Sequence, residues 1–336
     1  AAMYIESSPL GLPGKGFQGA GYYTASNPPF GAIVTYYLKD DLKSRKKQRQ
    51  EAEQKTLKEG GTLTFPSFEE LRTEERETEP SMLLLVKDEE GNVVRRLTAP
   101  AKAGFHRVAW DLRFPASTPI QLQQRERDAF DNAPEGPLAA PGKYTVTLAK
   151  QVDDVVTPVG QPQPLEARPL FMSGLTAQDQ SSQLAFQRKT ASLQRAVMGA
   201  VQALEEAQNR LKFIQKAILE TPKADLKLVQ QARALDLRLQ DIAVKLEGDP
   251  VIGAHGGATP PAIVDRVQNV VQSHWSTTVQ ATKTYEEDYN IAAAEFAPVL
   301  ADLRQAIGVD LKGLEDQLES LGAPWTPGRL PTWKPE

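Results

Sequence analysis

Residues 82–97 read MLLLVKDEEGNVVRRL, in which two runs of aliphatic and β-branched side chains flank a polar stretch. Runs of this kind favour β-strands, and the acidic and glycine residues between them favour a tight reversal of the chain. The stretch therefore predicts a β-hairpin. The rest of the N-terminal half is interpreted outward from this hairpin.

Three further segments favour strands. Residues 32–38 read AIVTYYL, and residues 141–148 begin with a Pro-Gly turn and continue as KYTVTL. Residues 104–113 alternate apolar and polar side chains at period two, with Phe105, Val108 and Trp110 among the large apolar members. Several short strands separated by turns predict an immunoglobulin-like antiparallel β-sandwich over residues 32–170.

Two segments interrupt or precede these strands. Residues 40–79 are charged and helix-forming with very few apolar side chains, so we expect a solvated helical insertion within the sandwich. Residues 1–31 are rich in Gly, Pro, Ser and Tyr, which favour turns and extended backbone. They are interpreted as an extended connector.

The C-terminal half has the period of amphipathic helices. Thr176 is a candidate N-cap for a long first helix, whose apolar stripe recurs at spacings of three, four and seven: Leu193, Val197, Val201, Leu204, Leu211, Ile214 and Ile218. Similar patterns predict helices over 226–246, 261–275 and about 285–307, with Pro298 bending the last of these. A glycine-rich loop is expected at 253–259, and a last helix near 311–321. Short connections predict an antiparallel four-helix-type bundle over residues 171–322, followed by an extended tail, 323–336.

Length and composition limit the possible functions. A chain of 336 residues is long enough for two domains, and its net charge of −4 combines 39 basic with 43 acidic residues, so no nucleic-acid partner is expected. Cysteine does not occur, which excludes disulfides, thiolate metal sites and cysteine nucleophiles. We expect no membrane insertion, because no apolar run approaches the roughly 18 residues of a spanning helix. The first residues do not resemble a signal sequence, so we expect a fragment or a processed product.

No catalytic, cofactor-binding or metal-binding residue is predicted, although four features were weighed for such roles. Trp110 with Asp111 suits a sugar platform, but a Trp in an alternating strand is usually core. His106, His255 and His274 are the only histidines, and none is spaced as a metal pair. Glycosidase chemistry needs two carboxylates, and the clusters at 88–90 and 286–288 are more typical of a turn and an exposed helix face. Residues 253–259 precede a helix N-terminus but lack the phosphate-loop lysine.

A basic run, Lys43 to Arg49, is the strongest local charge feature. It suits anionic lipid or polysaccharide, but acidic residues follow at once and no apolar face accompanies it. A solvated helix is the more ordinary interpretation.

Several motifs together resemble a known family. Residues 88–97, 103–113 and 141–144 are similar to the immunoglobulin-like module of flagellar hook-capping proteins, and the flanks, NPPFGA at 27–32 with YYLK at 36–39 and WTPGR at 325–329, resemble the C-terminal region of bacterial sortilin-like proteins. Those proteins carry β-propellers of sialidase-type repeats upstream and a loose "glycosyl hydrolase" label. The propeller repeat, Ser-x-Asp-x-Gly-x-Thr-Trp, does not occur in this chain.

The resemblance implies a secreted, periplasmic or outer-membrane-associated bacterial protein whose partner is an upstream β-propeller of the same protein or complex. The leading prediction is a non-catalytic accessory module that docks on the propeller, an envelope protein or a glycan. One alternative is part of a glycoside hydrolase whose catalytic residues lie mainly in the missing propeller. Another is a carbohydrate- or surface-binding module, for which the sequence offers only Tyr22, Tyr23, Trp325 and Trp333 in extended flanks.

Overall fold

The computed structural model describes residues 30–122, 134–168, 177–275 and 279–335. These residues form antiparallel sheets and helices in two compact units, residues 30–115 with 134–168, and residues 116–122 with 177–335. The expectations for residues 1–29 and for the cap at Thr176 lie outside the described residues.

Two antiparallel sheets make up most of the first unit. β1 pairs with β4, and a four-stranded sheet has the order β3-β2-β5-β6. The predicted hairpin of residues 82–97 is confirmed as β2 and β3. The strands are β1 Ala32–Leu38, β2 Ser81–Lys87, β3 Val93–Ala99, β4 Gly104–Trp110, β5 Gly142–Val152 and β6 Val155–Ala167.

Both sheets contribute to one hydrophobic cluster. Tyr36 of β1 and Trp110 of β4 are buried together with side chains of the larger sheet, among them Leu84 and Tyr144. The Trp110 and Tyr144 rings meet edge to face with centroids 5.2 Å apart. Alternate residues of each strand point into this cluster because successive strand side chains face opposite sides.

A helical insertion separates β1 from β2, as predicted. It consists of α1, Arg45–Lys58, and α2, Phe68–Arg76, and neither helix buries a single residue. Ser44 caps α1, and Ser67 with Glu70 forms a reciprocal capping box at the start of α2. Local capping and ion pairs, rather than a core, therefore hold these helices.

The second unit is helical and packs around its own hydrophobic cluster. The predicted apolar stripe of the long first helix is confirmed: Val197, Leu204, Leu211, Ile214 and Ile218 are buried. α7 contains Pro298 and continues past it. The helices are α3 Ala177–Leu219, α4 Leu226–Glu247, α5 Pro250–Ala254, α6 Ile263–His274, α7 Lys283–Gln305 and α8 Lys312–Ser320.

The final helix predicted near 311–321 is confirmed as α8, Lys312–Ser320, but it follows α7 without a break. A π-helical turn, Ala306–Leu311, joins α7 to α8, so the chain stays helical from Lys283 to Ser320. Buried residues follow spacings of three and four along α7 and α8, except for a spacing of five between Ala306 and Leu311. The wider π turn takes up this one extra residue and keeps both halves of the stripe facing the core.

The structure adds three local features to those predicted. β6 was not predicted, because Pro158, Pro162 and Pro164 interrupt its pattern; an edge strand tolerates them since one side of its backbone has no partner. The first residues of the predicted glycine-rich loop belong to the short helix α5. Phe105 is 79% exposed, because its odd position places it on the face of β4 opposite to Val108 and Trp110.

The C-terminal tail packs against the helical unit. Arg329 is buried and donates to the carbonyls of Ala323 and Pro324 and to Glu319 of α8. Gly328, at φ +90°, lies so close to Arg210 and Glu315 that a Cβ atom there would be 2.5 Å from Arg210 Nε. The WTPGR segment thus contacts both α3 and α8, and we call this contact the tail clamp.

Candidate interaction surface

One arginine joins the two helices of the insertion. Arg49 donates from Nε to Glu74 Oε1 at 2.6 Å and from Nη2 to Glu74 Oε2 at 2.8 Å, and its Nη1 reaches Glu53 at 2.6 Å. Hydrogen bonds from Arg49 lower the pKa of the Glu74 carboxyl below its ordinary value. This two-point contact fixes the angle between α1 and α2.

The base of the insertion is attached to the turn between β5 and β6. Asp153 and Asp154 form that turn with φ of +49° and +62°, as two-residue hairpin turns require. Arg45 donates to Asp153 at 2.5 Å, and the Thr78 hydroxyl donates to Asp154 at 2.9 Å. Both ends of the insertion therefore contact the same turn.

The far end of the insertion carries exposed apolar side chains. We define the apolar tip as Leu57, Leu63, Phe65 and Phe68, of which Phe65 and Phe68 are 75% and 73% exposed. Their rings contact edge to face at 6.3 Å. α1 has 14 residues, so the tip lies about 20 Å along the helix from the base.

The basic run at the start of the insertion is largely neutralised. Arg45 and Arg49 are paired as described above, Lys43 binds Glu51, and Lys47 contacts Asp41 at 3.1 Å. Cations that already have carboxylate partners attract a lipid or polysaccharide surface weakly. The apolar tip is therefore a better candidate for an interaction surface than the basic run.

A second exposed apolar surface lies on the two-stranded sheet. We define the outer face of β1–β4 by Ile33, Thr35, Tyr37, Phe105 and Arg107, which lie opposite the buried side. Tyr37 and Phe105 are cross-strand partners with ring centroids 4.9 Å apart and planes inclined by 46°. Arg107 lies opposite Thr35 and forms no ion pair with any described residue.

Trp110 and Asp111 have structural roles. The Trp110 side chain is 1% exposed and donates from Nε1 to the carbonyl of Arg113 at 3.0 Å. Asp111 accepts from the Arg113 backbone N–H at 3.0 Å. The pair closes the turn after β4 and presents no ring face to a sugar.

The three histidines lie in separate places. His106 contacts the Tyr36 ring and the carbonyl of Lys102, His255 ends α5, and His274 is buried between Phe186 and Tyr285. Burial lowers the pKa of His274, so it is neutral at pH 7. Within residues 30–122, 134–168, 177–275 and 279–335, no group of three or more potential ligands is close enough to hold a metal ion.

The carboxylate clusters and the glycine-rich segment are also occupied locally. Asp88 accepts from the Asn92 backbone N–H at 2.8 Å and closes the β2–β3 turn. Asp288 binds Arg266 at 2.9 Å and Asn269 at 2.8 Å. At the α6 N-terminus, the Asp265 carboxylate already accepts from the Ala262 N–H, so an anion there would meet a negative charge.

Two grooves lie on the helical unit. The larger, of about 780 Å³, is lined chiefly by prolines and aliphatic side chains where α4, α5, α6 and α7 meet, with Lys245 and Glu295 among its few charged residues. The smaller, of about 380 Å³, lies beside the π-helical turn and includes Arg238 and Asp310. Neither brings polar groups together in a pattern that indicates a particular ligand.

No protein-family model, no curated protein and no solved structure matches this chain. Among the described helices, none has the length and apolar character of a membrane span.

Neither exposed apolar surface was predicted from the sequence. The apolar tip lacks any periodic pattern, because its members come from the end of α1, the connection and the start of α2. The outer face of β1–β4 had a usable signal, since Tyr37 alternates with Tyr36 on β1 and Phe105 has the opposite parity to Val108 and Trp110 on β4.

Proposed function

We propose that this chain is a non-catalytic interaction module of a secreted bacterial β-propeller protein, and that its apolar tip docks on the propeller or on another protein of the periplasm or outer membrane. The secretion and the propeller follow from the family resemblance. The exposed Phe65 and Phe68 at the end of an attached helical insertion carry the docking part of the proposal.

The insertion favours docking because it adds nothing to the core of its own unit. Neither α1 nor α2 buries a residue, yet ion pairs hold both helices in place. The four large apolar side chains of the apolar tip remain exposed. Full burial of one such side chain contributes about 1.5–3 kcal/mol. Burial of the apolar tip in a complementary protein pocket would therefore contribute several kcal/mol to the free energy of binding. Contacts of this size are enough to anchor an interface.

We also infer that the first unit is an immunoglobulin-like β-sandwich and the second an antiparallel helical bundle. Two antiparallel sheets with one shared hydrophobic cluster support the sandwich. The Tyr144 hydroxyl donates to the Ala140 carbonyl four residues upstream at 2.6 Å, a bond typical of a tyrosine corner. A crystal structure in which the sheets did not face each other would contradict this fold.

The docking proposal is tested by replacing Phe65 with the photo-crosslinker p-benzoylphenylalanine in the native source. We expect one protein adduct whose cross-linked peptide is identified by mass spectrometry, and no adduct from the same probe at Phe213, which is exposed on α3. The purified partner should then bind the chain at least tenfold more weakly after Phe68→Ser. An adduct with lipid, or partner binding unaffected by Phe68→Ser, would refute docking through the tip.

A carbohydrate- or surface-binding function has one observation in its favour, the exposed Tyr37–Phe105 pair. The two rings are inclined by 46°, so they do not form a single flat platform for a sugar ring. We therefore place this function second. Glycan-array binding that is lost in Phe105→Ala and kept in Phe65→Ala would reverse that order.

A further inference from the structure

β1 is an edge strand of the two-stranded sheet, and no described strand pairs with its outer side. β1 pairs only with β4, and alternate residues of an edge strand direct N–H and C=O groups away from their partner. No described residue forms a backbone hydrogen bond with the outer edge of β1. Among the described residues, nothing pairs with this half of the β1 backbone groups.

The other sheet edges differ from β1. β6 carries three prolines, which remove backbone donors, and β3 carries Arg95 and Arg96. β4, the other strand of the two-stranded sheet, carries the charged residue Arg107, and the chain beyond it, at 112–114, is bonded to residues 137–139. β1 reads AIVTYYL, without proline or charge, so it has none of the features that normally prevent edge pairing.

From this contrast we propose that β1 accepts a third strand from a partner protein, an extended segment whose outward side chains alternate apolar and acidic. The new strand would run alongside β1, and its outward side chains would lie beside Ile33, Thr35 and Tyr37 on the same face of the sheet. This is β-strand addition, in which backbone bonds give affinity and alternate side chains give specificity. It concerns a different surface from the apolar tip and does not depend on the proposed docking there.

Charge complementarity selects an acidic segment. Arg107 is the one charged side chain on the outer face of β1–β4, and it forms no ion pair with a described residue. A third strand would lie about 9.5 Å from β4, and Arg107 can extend across the small side chain of Thr35, which lies opposite it on β1. An acidic residue beside Thr35 would meet the guanidinium, with apolar residues on either side facing Ile33 and Tyr37.

The proposal is tested with the full chain and a synthetic heptapeptide, Ac-Val-Leu-Thr-Glu-Val-Phe-Thr-NH2. Amide hydrogen exchange is measured residue by residue by NMR. We expect saturating peptide to slow exchange of alternate β1 amides at least tenfold and to leave β3 amides unchanged. A peptide with proline at its centre should give no protection, because its backbone donor is removed.

Charge reversal supplies the specific control. In Arg107→Glu, the acidic peptide should bind about threefold to tenfold more weakly, and a peptide with lysine in place of its glutamate should bind correspondingly better. Arg96→Glu, an exposed arginine on the other sheet, should change neither affinity.

Three outcomes would overturn strand addition at β1: no protection of β1 amides, equal binding of the acidic and lysine peptides to both proteins, or concentration-dependent protection of β1 without any peptide. The last would make a second copy of this chain the occupant. Loss of the apolar tip in Phe65→Ser with Phe68→Ser should leave peptide protection unchanged, so failure of the docking proposal is distinguishable from failure of this one.

Discussion

Asp302 of α7 and Asp310 of the π-helical turn lie eight positions apart, yet both bind the guanidinium of Arg238 on α4, with Nε at 2.7 Å from Asp302 Oδ1. In an uninterrupted α-helix, residues eight apart differ by about 80° around the axis, whereas residues seven apart differ by only about 20°. The π turn contains one extra residue, and so it places Asp310 where the seventh residue would be.

Deletion of Val309 tests this account. Val309 is exposed within the π turn, and its removal should convert the turn to regular α-helix without changing which residues of α8 face the core. We expect the free energy of unfolding to change by less than about 1 kcal/mol, measured by urea denaturation with far-UV circular dichroism.

The matched control is deletion of Ala301, an exposed residue inside α7. That deletion rotates one half of the helix by about 100° against the other and moves buried leucines out of the core. It should cost more than about 3 kcal/mol. Equal losses for the two deletions would show that the π turn is not a one-residue insertion.

Gly328→Ala tests the tail clamp. Gly328 has φ +90°, and a new Cβ atom would lie 2.7 Å from both Arg210 Nη2 and Glu315 Oε1. Glu315 is almost fully buried, so displacement of Arg210 would leave its charge without compensation. We expect a loss of at least about 2 kcal/mol beyond that of Gly322→Ala, measured by thermal unfolding.

Gly322 is the appropriate comparison because its φ is +68° and a Cβ atom there meets nothing within 4 Å. Its substitution carries the backbone penalty alone, about 1 kcal/mol. Similar losses for both variants would mean that the tail shifts without breaking the Arg210–Glu315 pair.

Much of the fold was accessible from local patterns. β1 and the β2–β3 hairpin follow from short runs of β-forming residues between turns, and α3 follows from its apolar stripe. The spacing of five between Ala306 and Leu311 was also visible in the sequence and signals the π turn.

The candidate surfaces depend on contacts that no local pattern contains. Arg49 and Glu74 are 25 positions apart, and Arg45 and Asp153 are 108 apart, so the position of the insertion follows only from the folded chain. The edge position of β1 also follows only from the folded chain, because it depends on which strands pair with β1. The charged, helix-forming residues of 40–79 therefore predict a solvated insertion but not the surface that it presents.

Thr190→Val tests a buried hydroxyl on α3. The Thr190 side chain is 1% exposed, and its Oγ1 has no hydrogen-bond partner among the described residues. An unsatisfied buried hydroxyl costs about 1–3 kcal/mol, and valine has nearly the same shape. We expect Thr190→Val to raise the free energy of unfolding by up to about 1 kcal/mol in urea denaturation.

Thr221→Val is its control, because the Thr221 hydroxyl is also buried but donates to the Ala217 carbonyl at 2.7 Å. Removal of that bond should lower stability by about 1 kcal/mol. A loss of the same size in Thr190→Val would indicate that a buried water molecule binds the Thr190 hydroxyl.

Glu319 makes attachment of the tail dependent on pH. Arg329 donates to Glu319 Oε2 at 2.7 Å, and the Thr332 backbone N–H donates to Oε1 at 2.6 Å. These bonds, the one from Arg329 foremost, lower the pKa of Glu319 from 4.5 to about 2. Because the pKa is lowered, the stabilisation that ionised Glu319 gives to the attached tail is fully present above pH 4.5 and disappears as the pH falls towards 2.

The Thr332 amide reports this directly. Its proton chemical shift, followed by NMR from pH 6 downward, should stay constant through pH 4.5 and change only as the pH approaches 2. In Glu319→Gln the shift should not titrate, and Thr332 should exchange its amide faster even at pH 7 because Arg329 loses its charged partner. Asp316→Asn, on the exposed side of α8, should behave as the unsubstituted chain. A midpoint near 4.5 would show that Arg329 and Thr332 do not hold the carboxylate.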